Sequence, residues 1–143
     1  MTPQRVTLIT LGVQDLDRAK TFYAALGWRP AEETPSIVFY QMHGQVIGLF
    51  GREDLAKDQG RPDANLGTGA MTLAQNFDTQ AEVDAAFDQA VAAGATILKR
   101  PEMVFWGGYS GYYADPDGHV WEVAMNPFWK LAADGSLTLP RAE

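Results

Sequence analysis

Apolar and polar positions along the chain follow two different periods, and the order in which those periods occur repeats once. Val6 to Val13 alternates and is rich in β-branched residues, which predicts a strand. Asp15 then stands where a helix N-cap belongs, and Leu16, Ala19, Phe22, Tyr23 and Leu26 fall on one helical face before Gly27 stops it. The same order returns later. Ala70 to Gln75 reads as a weaker strand, Thr79 with Glu82 as a capping box, and Val83, Ala86, Phe87, Ala90 and Val91 as an apolar stripe ended by Gly94.

More extended chain follows each helix. In the first half, Ser36 to Met42 and Gln45 to Phe50 flank His43-Gly44, a hairpin signal. In the second, Tyr109 to Ala114 and His119 to Ala124 flank Asp115-Pro116-Asp117-Gly118, whose Pro and Gly fit a tight turn. Short extended pieces near Trp28–Pro30 and Thr96–Leu98 complete each half. Each half thus reads strand, helix, then strands, a βαβββ module. Module one spans about 5–51, a charged and Gly/Pro-rich linker with a short helix near Asp54–Lys57 spans 52–68, module two spans 69–126, and a tail spans 127–143. A half of this size buries too little surface to be comfortably stable alone. The expected fold class is therefore α+β: two tandem βαβββ modules in one domain, their strands forming a curved mixed sheet with helices on its convex face.

Composition narrows the function. The 143 residues are 46% hydrophobic, with 7 Phe, 5 Tyr and 4 Trp, enough for an aromatic-rich core. A formal net charge of −7 repels phosphate backbones and anionic lipid heads, so neither nucleic acid nor a membrane surface is expected as a partner, and a neutral or cationic small molecule suits the field better. The absence of cysteine excludes disulfides, thiolate nucleophiles and thiolate metal sites. With no apolar run of signal-peptide or membrane-spanning length, the expected location is the cytoplasm.

Two stretches carry a resemblance: Leu11-Gly12-Val13-Gln14-Asp15-Leu16-Asp17-Arg18-Ala19 continuing to Phe22-Tyr23 and Leu26-Gly27, and Gly111-Tyr112-Tyr113-Ala114-Asp115-Pro116-Asp117-Gly118-His119-Val120-Trp121-Glu122-Val123. Together they resemble the opening helix unit and the closing hairpin of the vicinal oxygen chelate proteins, a family that includes glyoxalase I, bleomycin-resistance proteins and extradiol dioxygenases. With the internal repeat, the resemblance covers residues 5 to about 126. It is specific for the fold and says much less about the chemistry.

In metal-binding members of that family, each module contributes one ligand from its first strand and one from its last. Glu122 matches the last-strand carboxylate. Gly44 corresponds to Gly118 in the repeat, so Gly48 corresponds to Glu122, and Leu8 and Ala70 occupy the first-strand positions. Leu, Gly and Ala offer no side-chain donor, and one carboxylate does not hold a divalent metal against water. The two histidines, His43 and His119, fall at the hairpin turns. No metal and no cofactor are expected.

Strand alternation then names a ligand-facing wall. With Leu8 it takes Thr10; with Gly48, Phe50 and the cross-hairpin residues Phe39 and Gln41; with Glu122, Tyr109 and Tyr113; and Thr72 beside Ala70. Trp121 faces the helix. Trp106, in the glycine-flanked stretch Phe105 to Gly111, is expected at the rim. Such a wall suits an apolar or aromatic ligand. Glu122 reads either as a general base or ligand anchor, or as a structural carboxylate held by Tyr hydroxyls or backbone amides. Three functions follow: a metal-independent small-molecule-binding protein, a lyase or isomerase with Glu122 as base, or a metal-dependent glyoxalase or dioxygenase. The apolar tail residues Phe128, Trp129, Leu131, Leu137 and Leu139 are expected to cover the cleft or meet a second chain, and the family resemblance implies a homodimer.

Overall fold

The computed structural model describes residues 2–139, so the last residues of the tail, 140–143, lie outside the described part. The chain divides into two compact units, Met1–Gly69 and Ala70–Glu143, each with its own four-stranded mixed sheet.

In the first unit, β1 (Leu8–Val13) leads into α1 (Leu16–Ala25), then β2 (Glu32–Glu33), β3 (Ile37–Gln41), β4 (Val46–Gly51) and α2 (Arg52–Asp58). The sheet order is β1-β4-β3-β2, with β1 parallel to β4 and the other pairs antiparallel. In the second unit, β5 (Leu73–Asn76), α3 (Gln80–Ala92), β6 (Thr96–Met103), β7 (Tyr109–Ala114) and β8 (Val120–Met125) repeat the plan in the order β5-β8-β7-β6. The α+β class and the tandem βαβββ plan are both present. The first short extended piece lies at Glu32–Glu33 rather than Trp28–Pro30, because Trp28 is drawn back onto α1: its ring stacks on Tyr23 with centroids 4.9 Å apart.

The helices α1 and α3 start and stop by the same chemistry. The Asp15 carboxylate accepts the Arg18 N–H at 3.1 Å. The Thr79 hydroxyl accepts the Glu82 N–H at 3.1 Å and donates to the Glu82 carboxylate at 3.0 Å, so the carboxylate folds onto the cap hydroxyl instead of reaching the cap's backbone N–H. At the far ends, Trp28 N–H reaches the Tyr23 carbonyl and Ala95 N–H reaches the Ala90 carbonyl, each at 3.0 Å, across Gly27 and Gly94 held at φ of +92° and +104°. Those left-handed turns cost other residues about 1 kcal/mol or more.

Each helix covers one face of its own sheet. In unit one, Ala19, Phe22 and Tyr23 bury with Leu11, Val13, Val38, Tyr40, Ile47 and Leu49. In unit two, Val83, Phe87 and Ala90 bury with Tyr113, Trp121 and Val123, and the Phe87 and Tyr113 rings meet edge-on at 6.5 Å. Burying each such large side chain contributes roughly 1.5–3 kcal/mol. The alternate residues of every strand therefore point to the other face, and that face carries the positions of interest.

Hairpin geometry decides which residues share it. Between β3 and β4, His43-Gly44 forms a two-residue loop, closed by Met42 N–H to the Gln45 carbonyl at 2.8 Å, so Phe39 opposes Gly48 and Gln41 opposes Val46. Between β7 and β8 the loop is one residue longer. Asp115 and His119 still pair, with Asp115 N–H to the His119 carbonyl at 2.9 Å, and Pro116-Asp117-Gly118 forms the loop with Gly118 at φ +90°. The buried Asp115 carboxylate fixes this shape by accepting the N–H groups of Asp117 and His119, both at 2.9 Å.

Candidate functional site

On the face of unit one opposite α1, with α2 against its Gly12–Phe50 end, β1, β4 and β3 bring Leu8, Thr10, Gly48 and Phe39 into adjacent register: Thr10 lies beside Gly48, and Gly48 opposite Phe39. The glycine sets the depth of this surface. A methyl group at Gly48 would stand 3.2 Å from a Phe39 ring carbon and 3.6 Å from Leu8 Cδ1, so both side chains lie over the bare backbone. Beside them opens a groove of about 340 Å³ lined by Leu8, Phe39, Val46, Ala31, Glu32 and Gln41. Thr7 lines it as well. Three of the residues expected on the ligand-facing wall, Leu8, Phe39 and Gln41, thus line one cavity, and Gly48 lies against two of them. Phe50 is on the same strand face but lines a separate depression of about 400 Å³ with Ser36, Asp54, Lys57 and Asp58. Glu32 was not anticipated. It enters because β2 pairs Glu32 with Phe39, and a strand of only two residues leaves no readable alternation.

In unit two, Glu122 is half-buried in β8, between Ala74 of β5 and Tyr112 of β7. The Tyr112 hydroxyl donates to Glu122 Oε2 at 3.1 Å. Burial, the Glu122 charge and this hydrogen bond all push the Tyr112 phenol up from its ordinary value, so it remains a proton donor at neutral pH.

The expectation that Tyr109 and Tyr113 share the Glu122 face is corrected. Tyr113 pairs with Trp121 and is buried against α3, where desolvation first, then the charge of Asp115, holds its phenol strongly up. The Tyr109 hydroxyl donates to Asp84 of α3 at 2.7 Å. The loop is the cause: read as the four residues Asp115 to Gly118 it pairs Gly111 with Glu122, whereas the observed three-residue loop pairs Asp115 with His119, and a one-residue slip in a hairpin exchanges the faces of every side chain on one strand. Tyr112, which the four-residue loop would have turned away, is the tyrosine at Glu122.

The first-strand match is also corrected. Thr10 lies beside Gly48 and Ala74 beside Glu122, so Leu8 corresponds to Thr72, two residues beyond Ala70. Ala70 and Thr72 both precede β5 and are exposed. Trp106 sits in the β6–β7 turn, closed by Gly107 N–H to the Val104 carbonyl at 3.0 Å. Its ring folds over the backbone of the buried Gly108, where an added Cβ would overlap it. In the tail, Leu131 and Leu137 form a single antiparallel bridge, and Phe128 packs near Gly107 while remaining largely exposed.

This arrangement has a family. The model of the "Glyoxalase/Bleomycin resistance protein/Dioxygenase superfamily" matches residues 5–123, and the chain belongs to that superfamily. The crystal structure of a glyoxalase-related enzyme from Fulvimarina pelagi is similar with a TM-score of 0.91 and 41% identity, covering 97% of this chain and all of that one. Lactoylglutathione lyase from Agrobacterium tumefaciens is similar with a TM-score of 0.68 and 27% identity, covering 90% of this chain and 98% of that one. An uncharacterized protein of Mycobacterium tuberculosis is 44% identical over 47 residues, 33% of this chain and 28% of that protein. The chain spans about a third of the length of the curated relatives it matches.

Proposed function

We propose that the protein is a metal-independent small-molecule-binding member of the superfamily, holding an apolar or aromatic ligand on the face of module one opposite α1. The observation that carries this reading is the groove in which Leu8 and Phe39 lie over the bare backbone of Gly48. Such a surface offers a flat ring apolar contact with few groups to desolvate. The donor chemistry supports metal independence. The four positions that hold metal in family members carry Leu8, Gly48, Thr72 and Glu122, of which only Glu122 is a strong donor, and Tyr112 engages it. Among the described residues, no three His, Cys, Asp or Glu side chains gather closely enough to hold an ion.

The test is two-fold. Amide NMR titration with small aromatic probes is expected to shift Leu8, Phe39 and Gly48 first, and elemental analysis after metal exposure and buffer exchange is expected to find no stoichiometric metal. One transition metal per chain would overturn metal independence. Saturable probe binding that leaves those three amides unmoved would overturn the location.

A second reading treats Glu122 as the general base of a lyase or isomerase acting beside a carbonyl. The Tyr112 hydrogen bond supports it by fixing one carboxylate oxygen and leaving the other available, and the similarity to a protein described as a glyoxalase-related enzyme supports it too. It requires a turnover that disappears in Glu122→Gln.

The proposed working form is a cytoplasmic homodimer. The exposed Phe105, Phe128 and Trp129 of unit two supply apolar surface for a second copy, and sedimentation equilibrium checks the mass. No helix among the described residues is long and apolar enough to cross a membrane.

A further inference from the structure

The polar side chains around the module-one groove are those of Thr7, Glu32 and Gln41, and the last two present acceptors to it. Gln41 is the only amide among them, and its NH2 is already committed: it donates to the Met42 carbonyl at 2.7 Å and to the Gln45 carbonyl at 3.2 Å. Holding both donor hydrogens on the hairpin backbone fixes the amide plane and leaves Oε1, the acceptor, as the atom Gln41 can offer a ligand.

Glu32 supplies the charge. The pair Glu32-Glu33 is divided by strand alternation. Glu33 opposes Val38, on the helix-facing side, and its carboxylate is matched by Lys20 of α1 at 3.0 Å. Glu32 opposes Phe39 and lines the groove, and among the described residues no cation pairs with it. Lysine and arginine are absent from the groove lining, whereas Leu8, Phe39, Val46 and Ala31 form its apolar walls. A carboxylate, an oriented amide oxygen and an aromatic ring around one cavity form a receptor for a cation with N–H groups and an apolar body. The net charge of −7 over the whole chain acts in the same sense.

We infer that the ligand class of this groove is an aromatic or apolar amine in its protonated form, with the ammonium between Glu32 and Gln41 Oε1 and the apolar body on Leu8 and Phe39. This rests on the module-one groove being the binding surface. It adds the sign of the ligand's charge and the residues that select it. The neighbouring cavity of about 240 Å³ between α1 and β3, lined by Lys20, Trp28 and Tyr40, lacks the feature, since its charged lining residue is a lysine, itself paired with Glu33.

Three probes of nearly equal size separate the possibilities: phenethylammonium, 2-phenylethanol and 3-phenylpropanoate, titrated into the full chain and followed by amide NMR at low salt. Phenethylammonium is expected to bind roughly tenfold more tightly than the alcohol, and the carboxylate more weakly than either. The ammonium advantage is expected to shrink as salt is raised, because Glu32 is exposed. Glu32→Gln, at an exposed position that leaves the fold intact, is expected to bring the ammonium-to-alcohol ratio to within about twofold while the alcohol's own affinity holds. If all three probes shift Leu8, Phe39 and Gly48 with equal affinity, or if Glu32→Gln leaves the ratio unchanged, the amine inference fails and the groove stands. If no probe shifts those amides, the groove itself falls, and the inference with it.

Discussion

Replacing Gly111 with alanine tests how closely two strands of unit two approach. Gly111 lies in β7 opposite Val123, and on its other side β6 breaks register twice, between Ile97 and Lys99 and between Lys99 and Glu102. At the second break Pro101 is pushed toward β7. A Cβ at residue 111 would stand 2.7 Å from the Pro101 nitrogen, 2.9 Å from the Lys99 carbonyl oxygen and 2.9 Å from Pro101 Cδ. All three are backbone or ring atoms, so no rotamer change relieves the overlap, and β6 must move away from β7. Overpacking of this kind costs about 1–3 kcal/mol, and loss of β6–β7 hydrogen bonds adds to it. Alanine's smaller backbone entropy in a strand returns only about 0.5–1 kcal/mol. The expected net loss is about 2–3 kcal/mol, a fall in Tm of roughly 6–12 °C for a chain of this size. Urea unfolding followed by tryptophan fluorescence, with amide exchange along β6, measures it. A midpoint unchanged from wild type, with β6 amides as protected as before, would refute the described approach of Pro101 to β7.

Gly48→Ala is the contrasting case. Its contacts are the movable ends of Phe39 and Leu8, so stability is expected to change by less than about 1 kcal/mol while aromatic probe affinity falls several-fold, read by the same urea and NMR titrations. Asp115→Ala removes the acceptor of two backbone N–H groups in the β7–β8 turn and is expected to destabilise by about 2–4 kcal/mol, with Asp115→Asn retaining part of the loss as one oxygen can still accept; urea midpoints rank them. The Tyr112 and Tyr113 phenols are raised above the ordinary 10.0, so the stability they contribute is complete below pH 10 and is lost as pH climbs toward their folded values, because the unfolded phenols ionise first. The urea midpoint should fall between pH 9.5 and 11.5, and less steeply in Tyr112→Phe; parallel curves for the two proteins would count against the coupling to Glu122.

The residues that bear the candidate groove were legible to different degrees. Phe39, Gln41 and Gly48 could be assigned to one face because β3 and β4 meet through His43-Gly44, a loop whose length sequence alone specifies, and Leu8 joined them through the family resemblance. Tyr112 could not. The turn Asp115-Pro116-Asp117-Gly118 reads as four residues, whereas Asp115 N–H bonds the His119 carbonyl and the Asp115 carboxylate accepts from His119 and Asp117, so His119 closes a three-residue loop. Glu32 was missed for another reason: two residues carry no period, and the strand exists only because β3 offers a free edge to it.

What the sequence determined by itself was local and periodic. The two caps, the two glycine stops, the apolar stripes of α1 and α3, the strand-helix-strand order and its repetition follow from interactions within a few residues, which a chain carries wherever it goes. The superfamily was legible through the resemblance carried by the stretches at 11–27 and 111–123. Tertiary structure decided the rest: the closeness of Pro101 to Gly111, the tyrosine that meets Glu122, and the division of Glu32 from Glu33 between two faces. Each depends on register between strands, and register is fixed by how the helix-facing side packs, where a shift of one residue would exchange the buried Tyr113 for the half-buried Tyr112.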